Sequence, residues 1–311
     1  MACSQRVAQL KGEAGMPVFA PQREQAILEK VRSEAGEEGG AAAALYASIM
    51  AISRAKQHQM LQGGGPIREL ERAAARALST KGAKVVCQGV PGAFSHKAAL
   101  RFFGQLDPEF EPTWKQVFED VRTGKADFGV LPVANSAAGS VTGVYDLILR
   151  YRFYIVGAVD VKVEHCLAVG KGTGAVAGAV SHPQALSQCS DYLESHGLRA
   201  VEWSNTAAAA RHVAEDCPPG LAAICSREAA EEYGLTVLKE GIQNEAENTT
   251  RFIIIAKEAV LPEEAGKISL CFSLPHVTGS LSSVLERFSM AGLNLTTIES
   301  RPLPGKNFEY A

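Results

Sequence analysis

The sequence predicts an α/β protein whose central domain has two lobes, with a helical unit before it and a smaller unit after it. Three observations carry this. Residues 1–62 show helical periodicity only. From Ala83 onward, short apolar runs alternate with amphipathic segments in two successive series, the pattern of sheets covered by helices. Between the series runs the strand-like FYIVGAVDVKVEHCLAV, and NTTRFIIIA follows the second series. A long crossing out and a second crossing back describe two lobes joined by a two-stranded hinge, with the cleft between them as the binding site.

In order, Gln22 to Ala35 sets Ile27, Leu28 and Val31 on one helical face, and Ala42 to Met60 does the same with Leu45, Ile49 and Ile52. The glycine run in Gln62 to Pro66 breaks the second helix, and a linker with a further helix fills 63–82. The central domain, 83–257, begins with AKVVCQG and a helix from His96 to Phe103. A helix from Trp114 to Arg122, the run FGVLPV and a helix from Val144 to Tyr151 complete the first series. The second lobe, about 165–238, reads AGAVS, a helix from Pro183 to Ser195, RAVEW, a helix from Thr206 to Glu215, LAAICS and a helix from Arg227 to Tyr233. The alternation predicts mostly parallel sheets. After the linker VLPEEAG, residues 266–311 read as strand, helix, strand, with Val284, Leu285 and Phe288 facing inward. Three elements leave one face of a small sheet uncovered, so this unit reads as incomplete.

Composition excludes several function classes. The chain has 311 residues, 46% hydrophobic and 21% charged, with a net charge of −3. No basic patch supplies the cationic surface that a nucleic acid demands. The seven cysteines, at 3, 87, 166, 189, 217, 225 and 271, form no CxxC pair, which argues against zinc and against a disulfide framework and suits a reduced, cytoplasmic setting. The opening residues lack a signal-peptide core, and no run approaches the ~18 apolar residues of a membrane span, so no membrane partner is expected.

The chemistry concentrates at strand ends and helix starts. In NTTRFIII, Thr249, Thr250 and Arg251 stand before a strand apolar enough to be buried on both faces, where a rigid sheet presents loops to small anions. Arg251 has a second reading, as a surface partner of Glu245 or Glu247. GVPGAFSHKAA, with Ser95 placed to cap, and PVANSAAGSV, with Asn135, Ser136, Gly139 and Ser140, both lead from strand to helix and can offer N–H groups to an anion. Ser181 to Gln184 and Ser204 to Thr206 open helices in the other lobe. Capping accounts for each start taken singly, while their joint arrangement favours a cleft lined by hydroxyls and N–H groups. His96, His165, His182 and His212 have no metal-ligand spacing and read as structural or solvent-facing.

Six ordered motifs, GVPGAFS, LPVANSAAGS, EHCLAV, SHPQALSQC, NTAAAA and NTTRF, resemble the prephenate dehydratase family over about residues 83–256. The resemblance implies a two-lobed fold like type II periplasmic binding proteins and conversion of prephenate to phenylpyruvate with loss of water and carbon dioxide, without metal or cofactor. It implies that Thr250 contacts the departing oxygen and that Arg251 binds or positions a carboxylate. Ser95, Asn135 and Ser136 would hold carboxylates, and Gly139, Ser140, Thr249 and Phe252 would complete the substrate site. Arogenate as substrate, and a non-catalytic sensor of the same fold, are the alternatives. The third unit resembles the start of a ferredoxin-like ACT domain that senses phenylalanine, through Thr278, Gly279, Ser280 and Leu281 and through Glu299, Ser300, Arg301 and Pro302. Sensing in that family requires paired domains, which implies a homodimer or higher homo-oligomer. The first unit resembles the later part of an AroQ-type chorismate mutase, through MPVFAPQREQ and IMAISRAKQ, with Lys11, Arg23, Glu24, Ser53 and Gln57 at pocket positions. The whole resembles the bifunctional chorismate mutase and prephenate dehydratase family, cut short at both ends.

Departures from the pattern qualify these expectations. Ala134 stands where the family has an acid before the asparagine, and Asn244 where it has an aspartate. If either carboxylate serves the site, activity is impaired. Ala20 replaces an aspartate, and the two arginines of the mutase's first helix have no counterpart, so little mutase activity is expected. With half an ACT domain, feedback control is expected to be lost.

Overall fold

The computed structural model describes residues 2–61, 65–274 and 279–302, and side chains of 2–4, 55, 58, 59, 61 and 65–68 lie outside the description. The chain divides into two compact units, Met1–Ala73 with Phe272–Ala311, and Ala74–Cys271.

In the first unit, helices α1 (Ala2–Glu13) and α2 (Pro21–Glu34) pack along α3 (Gly39–Leu61), and α4 (Gly65–Ala73) follows. Pro21 opens α2, where its missing N–H costs nothing. Ile27, Leu28 and Val31 are half-buried, as the periodicity predicts. Leu45, Ile49 and Ile52 are not: all three are exposed, and Ala43 and Gln57 are buried instead. Among the described residues α1 and α2 are the long helices against α3, and they leave that apolar face uncovered. The glycine run at 62–64 lies outside the described residues. Late in the chain α12 (Ser280–Met290) forms, with Val284, Leu285 and Phe288 its less exposed side and the Phe288 ring 6.3 Å from Phe272. The strands expected on either side of it do not form among the described residues. Ile268, Leu270 and Phe272 stay exposed, since an isolated pair of strands buries too little to hold together. Thr278 lies outside the described residues.

The second unit holds two sheets. The first is built from β1 (Val85–Gln88), α5 (Phe94–Phe103), β2 (Glu109–Glu111), α6 (Trp114–Thr123), β3 (Phe128–Asn135), β4 (Gly139–Ser140), α7 (Thr142–Tyr151), β5 (Tyr154–Lys162) and the late strand β11 (Thr249–Ala256). Its order is β2-β1-β3-β11-β5. The second contains β6 (Cys166–Val169), β7 (Gly178–Ser181), α8 (Pro183–Gln188), α9 (Ser190–Ser195), β8 (Arg199–Glu202), α10 (Thr206–Asp216), β9 (Leu221–Cys225), α11 (Arg227–Glu232) and β10 (Thr236–Glu240), in the order β10-β6-β9-β7-β8.

Neither sheet is mostly parallel, contrary to the alternation. β1, β2 and β3 pair in parallel, as do β7, β8 and β9, while the strands entering and leaving each lobe pair antiparallel. A chain that crosses into a lobe and returns beside its outward path must run the other way. The crossings touch at Val163, whose N–H donates to Asn248 O at 2.8 Å.

β11 lies between β3 and the edge strand β5 of the first sheet, and from Phe252 onward it is buried on both faces. Phe252, Ile254 and Ala256 pack in the layer of α5, while Ile253 and Ile255 face Phe118 of α6 and Val144 of α7. Successive residues of a strand point to opposite faces, and this alternation sorts the site residues below.

Candidate active site

A cavity of about 190 Å³ opens between the two sheets. The first lobe contributes Ser95, Asn135, Thr250 and Phe252, and the second contributes His182, Gln184, Asn205 and Thr206. The first turns of α5 and α10 reach its wall, bringing the partial positive charge of a helix start.

Thr250 sits at the start of β11, and Asn135 at the end of β3 lies opposite it in register. Asn135 is buried and fully engaged. Its Oδ1 accepts from Ala137 N at 3.0 Å and Ala138 N at 2.8 Å, which fixes the amide orientation. Its Nδ2 therefore donates, to Asn248 Oδ1 at 2.7 Å and to Thr250 Oγ1 at 2.8 Å. The consequence is chemical. The Thr250 hydroxyl is an acceptor toward the protein, and among the described residues its own hydrogen meets no protein acceptor, so it can be donated into the cavity.

The other expected site residues separate by face. Ser95 is in the wall but caps no helix: its Oγ donates to Gln88 O and ties α5 to the end of β1. Ser136 and Thr249 bond each other instead of the cavity, with Thr249 N donating to Ser136 Oγ at 2.9 Å and Ser136 N to Thr249 O at 2.9 Å. Gly139 and Ser140 form β4 and pair with Asn135 and Ala134. None of these four lines the cavity.

Arg251 does not line it either. The residue after Thr250 faces the opposite side of the strand, where Nε and Nη2 each donate to Asp160 at 2.7 Å. Its partner is neither Glu245 nor Glu247, because Asp160 stands opposite it on β5. The residue expected to bind or position a substrate carboxylate thus stands outside the cavity wall, paired with Asp160. The two charge-assisted bonds hold the Asp160 carboxyl below the usual carboxylate range, while partial burial opposes them. A lowered folded-state pKa gives a contribution fully present above the ordinary carboxylate pKa and lost as pH falls through the lowered value. The side chains are 41% and 48% exposed, so solvent reduces the pair to about 1 kcal/mol or less. Arg251→Leu is accordingly expected to destabilise by under about 1 kcal/mol in a urea melt at pH 7. It should also cost less activity than loss of Thr250.

Neither of the two departures, Ala134 and Asn244, lines the cavity. Ala134 pairs with Arg251 and so lies on the outer side of the sheet, where Asp160 already supplies the carboxylate. Asn244 is a structural tie. Its Oδ1 accepts from Asp191 N in the first turn of α9 at 3.3 Å, its Nδ2 donates to Ser190 Oγ at 2.9 Å, and its N–H donates to Gln188 O at 2.7 Å. Asparagine and aspartate fill such a cap about equally well.

In the second lobe, both capping and lining hold. His182 Nδ1 accepts from Gln184 N at 3.2 Å and Asn205 Oδ1 from Ala208 N at 2.7 Å, and both residues still reach the wall. Sequence reasoning missed His165 and Gln188. His165 is 2% exposed, and burial lowers its pKa. The only signal for either residue was its place inside a quoted motif.

The loop 89–94 joins the lobes. Gly92 takes φ +80°, and a Cβ there would lie 2.7 Å from Ala229 Cα. Ser226 Oγ donates to Gly92 O at 3.3 Å, Tyr233 OH to Pro91 O at 3.0 Å, and Lys97 forms an ion pair with Glu228.

In the helical unit, Glu24 pairs with Arg54, a cation the sequence reading left out, and Lys11 Nζ donates to Val18 O at 2.6 Å. Gln57 Nε2 donates to Ser53 Oγ at 3.1 Å, while its buried Oε1 has no partner. Arg23 is exposed. Of the regulatory positions, Gly279 is left-handed at the start of α12, Leu281 is exposed, and Glu299, Ser300, Arg301 and Pro302 lie in irregular chain. Among the described residues no group of His, Cys, Asp or Glu is placed to hold a metal ion. No described helix is long and apolar enough to cross a membrane.

Comparison with known proteins agrees with this fold. Arogenate dehydratase 2 of Petunia hybrida is 38% identical over 73% of this chain and 59% of its own length. Arogenate dehydratase/prephenate dehydratase 1 of Arabidopsis thaliana, a chloroplastic protein, is 38% identical over 70% of this chain and 57% of its own. The chain thus spans less than two thirds of the length of these relatives. Among solved structures, prephenate dehydratase from Arthrobacter aurescens in complex with L-Phe has 30% identity and a TM-score of 0.64, over 73% of this chain and 78% of that one. GqqA, described as a novel type of quorum quenching acylase, has 30% identity and a TM-score of 0.62, over 73% of this chain and 84% of that one. The chorismate mutase type II model matches residues 1–58. The prephenate dehydratase model matches residues 85–260, more than half of the chain and all of the cavity wall, and the chain belongs to the prephenate dehydratase family.

Proposed function

We propose that the chain is a prephenate dehydratase, acting at the cavity between the two sheets. The observation that carries this is the Thr250 hydroxyl, held as an acceptor by Asn135 and left with its hydrogen directed to a ligand. In the reaction the bond from ring carbon to carboxylate breaks and its electron pair enters the ring. The bond to the hydroxyl opposite breaks in turn, releasing carbon dioxide and hydroxide, which takes up one proton to become water. Aromatisation drives the chemistry, so what the protein must supply is orientation and stabilisation of the departing oxygen. A threonine hydroxyl is too weak an acid to protonate the oxygen unaided, but a preorganised donor in a dry site stabilises the charge as it develops. Neutral donors and the starts of α5 and α10 meet the carboxylates, since no Arg or Lys is among the described lining residues.

The acylase activity ascribed to GqqA does not transfer on fold alone. Acyl transfer needs a nucleophile beside a base. Here the partner of Ser95 is a backbone carbonyl, and that of Thr250 is an amide.

Arogenate is the second reading, favoured by the names of the plant relatives. Arogenate carries an ammonium where prephenate has a keto group, and the described lining residues include no Asp or Glu to meet it. Purified chain is expected to form phenylpyruvate from prephenate with a kcat/KM above that for arogenate. No turnover of either, or a preference for arogenate, contradicts the respective part.

The Arthrobacter aurescens relative solved in complex with L-Phe supports a phenylalanine effector, which would act through residues 279–281 and 299–302; a homodimer or higher homo-oligomer is the assembly that the resemblance to ACT domains implies. The described cysteines are all unpaired, which suits a reducing compartment, the cytoplasm or the interior of a plastid. The mutase pocket, with Glu24 tied to Arg54, supports little isomerase activity.

A further inference from the structure

His165 stands in the cavity wall with one ring nitrogen engaged and the other not. Its Nε2 lies 3.0 Å from Gln188 Oε1, while Nδ1 is buried without a partner. A neutral imidazole carries one N–H. Placed on Nδ1, that hydrogen would be a buried, unsatisfied donor. Placed on Nε2, it is donated to Gln188 and leaves only an unused acceptor, the lesser defect. The ring is therefore the Nε2–H tautomer, and burial keeps it neutral.

The amide of Gln188 is thereby oriented. Oε1 accepts from His165, so Nε2 carries both of its hydrogens elsewhere, and among the described residues this nitrogen meets no protein acceptor. Gln188 lines the cavity, where anionic carboxylates would meet those two N–H groups. His165 is itself clamped by the segment 242–244: its N–H donates to Gln243 Oε1 at 3.0 Å, and its O accepts from Ile242 N at 3.2 Å. The same segment holds Gln188 through Asn244 N, and the Phe94 ring packs against the imidazole in a T-shaped pair with centroids 5.9 Å apart. We propose that His165, clamped by Gln243, is a positioning residue that turns the Gln188 amide so that both of its N–H groups face the substrate. The proposal rests on the dehydratase reading of the cavity.

The test compares prephenate kinetics and thermal melts for the full chain, His165→Gln, His165→Asn, Gln188→Leu and the double variant His165→Asn/Gln188→Leu. A glutamine amide nitrogen reaches roughly to the place of the imidazole Nε2, whereas asparagine stops short. His165→Asn is expected to raise KM about 10-fold or more with a smaller change in kcat. His165→Gln should stay within about threefold of the parent, and His165→Asn should add nothing to Gln188→Leu. A merely structural role would lower Tm and kcat in both His165 variants alike. An unchanged KM in His165→Asn, an equal loss in His165→Gln, or full additivity with Gln188→Leu overturns the proposal. If His165→Asn fails to fold, an unchanged KM in Gln188→Leu overturns it instead. Absence of turnover in the parent defeats the dehydratase reading, and the thermal shift induced by phenylpyruvate then decides. It should weaken in His165→Asn and persist in His165→Gln, and a uniform or absent shift overturns the positioning role.

Discussion

Thr250→Ala is expected to lower kcat for prephenate by about 10² to 10³, the cost of removing one donor aimed at a developing oxyanion. The fold should barely notice. Asn135 Nδ2 keeps its bond to Asn248 Oδ1, Oδ1 keeps both backbone donors, and the hydrogen released by the loss of Thr250 faces the cavity. Stopped assays paired with thermal melts check both halves. Thr250→Ser, which restores a hydroxyl on the same partner, should recover most of the rate. A variant that loses activity together with several degrees of Tm would make Thr250 a structural residue. One that loses neither would remove it from the chemistry.

The second large effect is on stability. Gly92→Ala places a Cβ 2.7 Å from Ala229 Cα and 3.0 Å from Ala229 Cβ, at a φ of +80° that side chains rarely adopt. Backbone on one side and a buried helix on the other leave nothing soft to yield. Strain and overpacking together amount to about 3 kcal/mol, a fall in Tm of roughly 6 to 12 °C. The loop and α11 relieve the clash by separating, which weakens the bonds from Ser226 to Gly92 O and from Tyr233 to Pro91 O. Because the same loop carries Phe94 and Ser95 into the wall, KM should rise as well. A melt within about 1 °C of the parent contradicts the close approach of the two lobes at Gly92.

Much of this was legible in the residues. Helix starts at Pro21, Thr113, Pro183, Asn205 and Ser226 carry the caps and prolines that announce them, and the apolar runs of the central domain became strands. What was not legible follows from geometry acting at a distance in sequence. Thr250 and Arg251 are adjacent and equally polar, and only the pairing of β11 sends one to the cavity and the other to Asp160, 91 residues away. Ala134 falls on the Arg251 side of the sheet for the same reason. His165 looked structural because it has no partner nearby in sequence, and its partners Gln188 and Gln243 come from the helix α8 and from the return crossing. The expected parallel order failed where the two crossings run side by side. The strands expected on either side of the helix in 266–311 failed among the described residues for want of partners, since a strand pattern fixes which side is apolar and not what will cover it.

The most direct test of the central claim is a crystal structure with a saturated-ring analogue of prephenate, which keeps both carboxylates and the hydroxyl and cannot aromatise. The account predicts that the ring hydroxyl oxygen lies within about 2.6 to 3.2 Å of Thr250 Oγ1, with Asn135 Nδ2 still donating to that oxygen from behind. An analogue bound with its hydroxyl away from Thr250, or with a carboxylate on the Arg251 side of the sheet, would contradict it.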